Sequence, residues 1–198
     1  VAAGRAANTD DVGLETTKAI VERSIVKVDE HMQTAEPHLY AIGDIIGGLW
    51  LAHVAAHEGI CAVHHIAGAD SEPVDCLKMP RATYSRPQVA SIGRTQQECE
   101  RDGIPFKVGR VPFQAIAKAL IAGEHEGFAK VIAHAETDEL LGVHLIGGHV
   151  TELIAEASAS MLFEATALDV GAAVHPHPTL SEIVGEAALN VHGNSINF

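Results

Sequence analysis

Three segments of strand character, Phe106 to Phe113, Ala129 to Ala133 and Leu140 to Ile146, follow one another with no long helix between them, after which the pattern turns helical. That order constrains the fold most. Parallel strands need crossovers of about a dozen residues or more, whereas antiparallel strands join through short turns. A short helical stretch at Gln114 to Ile121 separates the first two segments, and a hairpin turn at Glu136 to Glu139 joins the last two. Upstream, Ala82-Thr83-Tyr84 and Gln88 to Gly93 read as strands. Thr95 to Asp102 reads as a helix in which Thr95 and Glu98 form a capping box. Downstream, Val150, Leu153, Ile154, Ala157, Met161 and Leu162 share one face of a helix over Val150 to Phe163. Leu168 to Val174 predicts a second, short helix and Leu180 to Asn190 the last. Antiparallel strands followed by helices on one side predict an α+β domain over residues 79–198.

Residues 1–78 read differently. Val1 to Ala3 run straight into Gly4-Arg5 with no cap or turn, like a strand end whose earlier part lies upstream. Ser24 to Val28 and Leu39 to Ile42 read as short strands by their β-branched content, with Pro37 in the connector. Gly47-Gly48 marks a turn. Leu51 to Ala67 predicts a helix with an apolar face of Ala52, Ala55, Ala56, Ile60, Val63 and Ile66, ended by Gly68. The polar stretch from Ala69 to Lys78 reads as a linker.

Composition narrows the function classes. The 198 residues carry 26 acidic against 13 basic side chains, a formal charge of −13 that repels a phosphate backbone. One Trp, two Tyr and five Phe offer little for stacking on bases. Nucleic acid is therefore not an expected partner. No apolar run approaches the roughly 20 residues of a membrane span, and no secretory signal is visible. Cys61, Cys76 and Cys99 match neither a Cys-x-x-Cys redox pair nor a zinc ribbon, and read as free thiols.

Chemistry concentrates in His175-Pro176-His177-Pro178-Thr179-Leu180-Ser181-Glu182. Two prolines hold the backbone around His177 and display its imidazole ahead of a helix. Histidine titrates near neutrality, and a carboxylate on one ring nitrogen raises the basicity of the other, a part that Glu182 can fill. Thr179 and Glu182 equally form a capping box with Thr179 as N-cap. Both readings stand on the residues alone. A metal held by His175 and His177 lacks further ligands nearby. His53, His57 and His64 share a helical face, but the one acid close by, Glu58, lies off it, and no metal site is expected. His144, His149 and His192 read as scattered surface or strand residues, and Gly123 to Gly127 and Gly147-Gly148-His149 as connectors.

The histidine segment resembles the active-site stretch of the flavoprotein disulfide reductases, and His-x-His-Pro-Thr-Leu-Ser-Glu is the form carried by their dihydrolipoamide dehydrogenase branch. Gly193 to Phe198 is similar to the carboxyl terminus of that branch. Gly4-Arg5 with Asn8-Thr9 resembles the end of the family's nicotinamide-nucleotide domain, and Tyr40-Ala41-Ile42-Gly43-Asp44 its second flavin-binding motif. The resemblance implies a C-terminal dimerisation domain of the FAD/NAD-linked reductases at 79–198. An incomplete piece of the FAD/NAD-binding α/β domain precedes it at 1–78. It implies FAD and NAD as cofactors, with Gly4, Gly43, Asp44, Trp50, Leu51, Ala52 and His53 at cofactor-binding positions. Asp44 would meet the ribityl hydroxyls, and an amide-rich helix start would stabilise negative charge on reduced flavin.

It further implies that His177 takes a proton from dihydrolipoamide as general base, oriented by Glu182, while the reactive disulfide belongs to the partner subunit of a homodimer formed through residues 79–198. As the wider partner it implies the acyltransferase core of 2-oxo acid dehydrogenase complexes, and a bacterial cytoplasm is expected rather than a mitochondrial matrix. The sequence departs from the family in lacking both Gly-x-Gly-x-x-Gly fingerprints and a Cys-x4-Cys pair. The chain alone is accordingly expected to be inactive. The alternatives are a non-catalytic dimerisation module, or a related reductase acting on a disulfide such as glutathione.

Overall fold

A computed structural model describes residues 3–198, so the strand end expected at Val1 to Ala3 falls largely outside the described residues. The chain divides into two compact units, Val1–Cys76 and Leu77–Phe198.

In the first unit, β1 (Val21–Glu22) and β2 (Ile25–Val26) form a minimal antiparallel hairpin. The expected strand at Leu39 to Ile42 is reduced to one bridge between Gln33 and Tyr40, followed by a 3-10 turn at Gly43–Ile46. β-branched residues favour extension, but a strand persists only where a neighbour pairs with it, and no pairing in this unit exceeds two residues among those described.

The helix α1 (Ala52–Ile66) falls within the expected span, but on a different face. Val54, Glu58, Cys61 and Ala62 are buried, while Ile60, Val63 and Ile66 are 53, 61 and 62% exposed. Specific contacts turn the helix away from its more hydrophobic side. Glu58 accepts a hydrogen bond from the Gly43 backbone, and Cys61 packs against Ser71 and the Glu30 carbonyl.

The second unit is built on a five-stranded antiparallel sheet. β3 (Arg81–Thr83), β4 (Gln88–Gly93), β5 (Phe106–Pro112), β6 (Phe128–His134) and β7 (Leu140–Gly147) lie in the order β3-β4-β7-β6-β5. Register sets the core. Ala90 and Ile92 pair with Leu145 and Val143, which in turn face Ala129 and Val131. A strand's side chains alternate in direction, so these residues share one face, and all are at most 1% exposed.

Two helices cover that face: α4 (Val150–Leu162) lies on β4 and β7, and α6 (Glu182–Asn190) on β5 and β6. Ile183, Val184, Ala187 and Ala188 of α6 are completely buried or nearly so. Each side chain of Val, Leu or Ile size buried this way contributes about 1.5–3 kcal/mol. Between the two helices comes α5 (Ala167–Ala172), with Thr166 and Asp169 forming a capping box.

The opposite face is mixed: one row pairs Val89, Ile146 and Phe128, and the next, a polar row, sets His144 between Ser91 and Lys130. The short α2 (Gln96–Asp102) begins beside it behind the Thr95–Glu98 capping box, and Lys130 reaches the Gln96 side chain at 3.3 Å. The stretch expected to be helical at Gln114 to Ile121 splits into a 3-10 turn at Phe113–Ala115 and α3 (Ala117–Ala122).

Candidate active site

The connector from α5 to α6 carries the two histidines. The His177–Pro178 peptide is cis, and the His177 ring is 70% exposed. Its Nδ1 lies 2.9 Å from Glu182 Oε1, while Glu182 Oε2 accepts the Thr179 backbone N–H at 2.8 Å. Glu182 therefore serves two partners, one oxygen for the imidazole and one for the Thr179 backbone, but only this half of the expected capping box forms. Thr179 does not serve as the N-cap. Its hydroxyl donates to the Pro176 carbonyl at 2.7 Å and meets the Ser181 hydroxyl, so α6 begins at Glu182 behind Ser181. Burial raises the Glu182 carboxyl, but the hydrogen bonds from His177 and Thr179 outweigh it and hold the group below the usual carboxylate range. An ionised Glu182 accepts a hydrogen bond from Nδ1–H, which leaves Nε2 with its lone pair. Among the described residues Nε2 makes no hydrogen bond.

His175 and His177 do not converge as metal ligands. His175 turns to a carboxylate of its own, with Nε2 2.7 Å from Glu156 Oε1 on α4. Sequence separation hides this pair, because the partners stand 19 residues apart. Glu186, 5% exposed on α6, is a further residue that sequence reasoning passed over. It accepts the backbone N–H groups of Ile196 and Asn197 and the Asn197 amide, and so holds the C-terminal segment on the helix.

The first unit gathers another set. Gly43 has φ +74°, and an added Cβ would stand 3.3 Å from the Ala55 side chain. Its N–H donates to Glu58 Oε2 at 2.7 Å. Asp44, 55% exposed, lies 3.9 Å from the Arg5 guanidinium, which covers the Trp50 ring at 4.5 Å. Leu51 caps α1 without a side-chain hydrogen bond, and Ala52 and His53 open the helix at exposed positions. Gly4, φ +84°, has open space around it. Glu58 is the one acidic residue of α1, the only signal that could have marked it as a fixed point of this loop.

The remaining histidines are less scattered than their spacing suggests. His144 is half-buried on β7 and bonds to the Arg94 carbonyl at 2.9 Å, and burial pushes its pKa down. His192 pairs with Asp138 at 2.8 Å. Residues 123–126 and 147–149 of the two connectors line one open cleft of about 600 Å³, where Glu124 lies 3.7 Å from Arg86 and 3.6 Å from His149. Exposed pairs of this kind contribute about 0–1 kcal/mol. Cys61 and Cys99 are buried, Cys76 is exposed, and all three are free.

Residues 79–188 match the family model described as pyridine nucleotide-disulphide oxidoreductase, dimerisation domain. The chain belongs to the pyridine nucleotide-disulphide oxidoreductase family. A second model of this family, described as pyridine nucleotide-disulphide oxidoreductase, matches residues 1–59. Among curated relatives, dihydrolipoyl dehydrogenase of Bacillus subtilis (strain 168) is 50% identical over all of this chain, which covers 42% of that protein. The mitochondrial dihydrolipoyl dehydrogenase of Caenorhabditis elegans is 41% identical, again over the whole chain and 40% of its own length. The chain thus spans about two-fifths of these relatives. Among solved structures, LpdA from Mycobacterium tuberculosis superposes with a TM-score of 0.88 at 26% identity, covering 93% of this chain and 40% of that one. The oxidoreductase fold expected from the sequence, a dimerisation domain preceded by a piece of the nucleotide-binding domain, is therefore the one found. Among the described residues no helix is long and apolar enough to cross a membrane.

Proposed function

We propose that this chain supplies the proton-handling segment of a dihydrolipoyl dehydrogenase, which oxidises protein-bound dihydrolipoamide to lipoamide with FAD and NAD+. The observation that carries the reading is the 2.9 Å contact of Glu182 with His177 Nδ1, which leaves Nε2 of an exposed ring as the basic nitrogen. A thiol with pKa near 8.5 is mostly protonated at neutral pH, and the thiolate is the nucleophile. Nε2 takes the proton from one dihydrolipoamide thiol, and the sulfur, now a thiolate, attacks the disulfide of the partner subunit, forming a mixed disulfide and releasing the second cysteine as a thiolate. Glu182 keeps the imidazole in the reactive tautomer and balances the charge it gains.

The first unit fits FAD. The exposed Asp44 carboxylate stands ready for hydroxyl donors, Gly43 lets the chain turn close against Ala55 of α1, and α1 opens without a side-chain cap. When bound, FAD supplies the two-electron relay between dithiol and NAD+. Gly43, Asp44 and the segment Trp50-Leu51-Ala52-His53 are the residues that would hold it. For NAD, the described residues offer Gly4 alone, and no step is built on it.

The domain assignment, 1–78 for the nucleotide-binding piece and 79–198 for the interface, belongs to the same proposal. So do the homodimer formed through 79–198, the acyltransferase core as partner and the bacterial cytoplasm as location. The dimerisation-domain model that begins at residue 79 supports the boundary and the homodimer, and the name of the relatives supports the partner. The 198-residue chain is inactive by itself, since its three free cysteines provide no redox disulfide. The test is His177→Gln in the flavin-loaded enzyme. Turnover falls by roughly 10²–10⁴-fold, the usual contribution of a general base, while flavin absorbance is kept. Near-normal turnover removes His177 from the reaction.

A further inference from the structure

From Ala172 to Pro178 the chain is exposed at every residue but one. His175 turns inward, its side chain 13% exposed and its Nε2 2.7 Å from Glu156 Oε1 on α4. The other edge of the ring lies on α6. A Cβ at Gly185 would stand 2.9 Å from His175 Cε1 and 3.0 Å from Nδ1, so the absence of a side chain there is what admits the imidazole. Gly185 lies three residues after Glu182, one turn along the same side of α6. One helix face thus offers a carboxylate to His177 and bare backbone to His175.

Anchors exist at both ends of a very short segment. On one side stands His175, wedged between α4 and α6. On the other stands Thr179, whose N–H is held by Glu182 and whose hydroxyl reaches back to the Pro176 carbonyl. Only Pro176, His177 and Pro178 lie between, and two of those three have φ fixed by their rings. With both ends held, the backbone of His177 has little freedom left. With His175 loose, its upstream end would hang from exposed residues alone.

We propose that His175 and Glu156 are positioning residues for the base: their hydrogen bond moors the connector to α4, so that His177 Nδ1 stands over Glu182. The proposal rests on the reading of His177 as general base. Neither residue touches the reacting sulfur. They act through the connector, and a hydrogen bond rather than a charge is what the mooring requires.

The test compares Glu156→Ala, His175→Ala, Glu156→Gln and His177→Gln in the flavin-loaded enzyme. It adds ¹⁵N spectra of the His177 ring in the 198-residue chain. Both alanine variants are expected to lose roughly 10- to 100-fold in kcat, the scale of small misplacements of a catalytic group, with KM changed less than about twofold. Glu156→Gln keeps an acceptor oxygen for His175 and stays within about threefold of the parent. The ring spectrum shifts from one tautomer, protonated at Nδ1, to a mixture in the alanine variants and stays single in Glu156→Gln. Gly185→Ala, which drives a methyl into the His175 ring, gives the same loss and serves if the alanine variants do not fold.

Alanine variants at parental kcat beside a slow His177→Gln would overturn the mooring and leave the base reading intact. A Glu156→Gln variant as slow as Glu156→Ala would overturn mooring by a hydrogen bond. If His177→Gln turns over normally, the base reading fails. The ring spectrum then decides the mooring alone: an unchanged tautomer in the alanine variants refutes it, and a mixture supports it.

Discussion

Glu182 shows how much one side chain can carry when its two oxygens have separate partners. His177 and the Thr179 backbone both favour the ionised form, against the burial that opposes it, and the carboxyl is held below its ordinary value. The sign of the pH dependence follows. A carboxyl with a depressed folded pKa stabilises the fold fully above its unfolded value, about 4.3, and the contribution fades as pH falls through the lower folded value. Glu182→Gln therefore lowers stability at pH 7 by about 1 kcal/mol, the scale of a charge-assisted hydrogen bond whose imidazole partner is largely in water. The gap to the parent narrows below about pH 4. Paired thermal melts from pH 7 down to pH 3 check this, and a gap that stays constant or widens in acid excludes the assigned role. The His177–Glu182 pair was legible because its members lie five residues apart around a proline-fixed turn. The His175–Glu156 pair was not, because no local rule links a connector to a helix 19 residues earlier.

At the scale of elements, the cap of α2 was read correctly, whereas the N-cap expected at Thr179 and the buried face of α1 were not. The Thr95–Glu98 box stands as expected, with Glu98 N–H donating to Thr95 Oγ1 at 3.2 Å and Thr95 N–H to Glu98 Oε2 at 2.7 Å. Such boxes are written within four residues, so neighbours elsewhere cannot alter them. Thr95→Ala should lower stability by about 1 kcal/mol and Thr95→Ser by much less, read as a shift in the denaturation midpoint of the second unit. Equal midpoints for all three proteins would show that the box adds nothing to α2. The face of α1 went the other way. Its apolar residues occupy more than one side, and the buried side is the one carrying Glu58 and Cys61, whose partners come from Gly43, Ser71 and Glu30. A periodicity argument weighs hydrophobicity and is blind to a carboxylate with a waiting backbone donor.

For the molecule as a whole, the buried cluster that includes Ile92, Phe113, Val131, Val143, Leu145, Ile183 and Val184 lies entirely between residues 90 and 191. The first unit rests on α1, a two-residue hairpin and polar turns. Local stability follows buried apolar contact, so the two units should open separately. Amides of β6 and β7 are expected to exchange at least about 10-fold more slowly than the most protected amides of the first unit in native-state hydrogen exchange. One shared opening free energy across both units would show a single cooperative body instead.

The strand segments, the Thr95–Glu98 cap and the His177–Glu182 pairing were all written in the chain, because each depends on residues a few positions apart or on the alternation of apolar side chains. The His-Pro-His-Pro segment marked the place of the chemistry for the same reason. Which face of α1 is buried, which carboxylate holds His175 and how Glu186 binds the last residues were settled by packing. A buried polar group takes whichever partner the fold brings within hydrogen-bond reach, and sequence distance has no part in that choice.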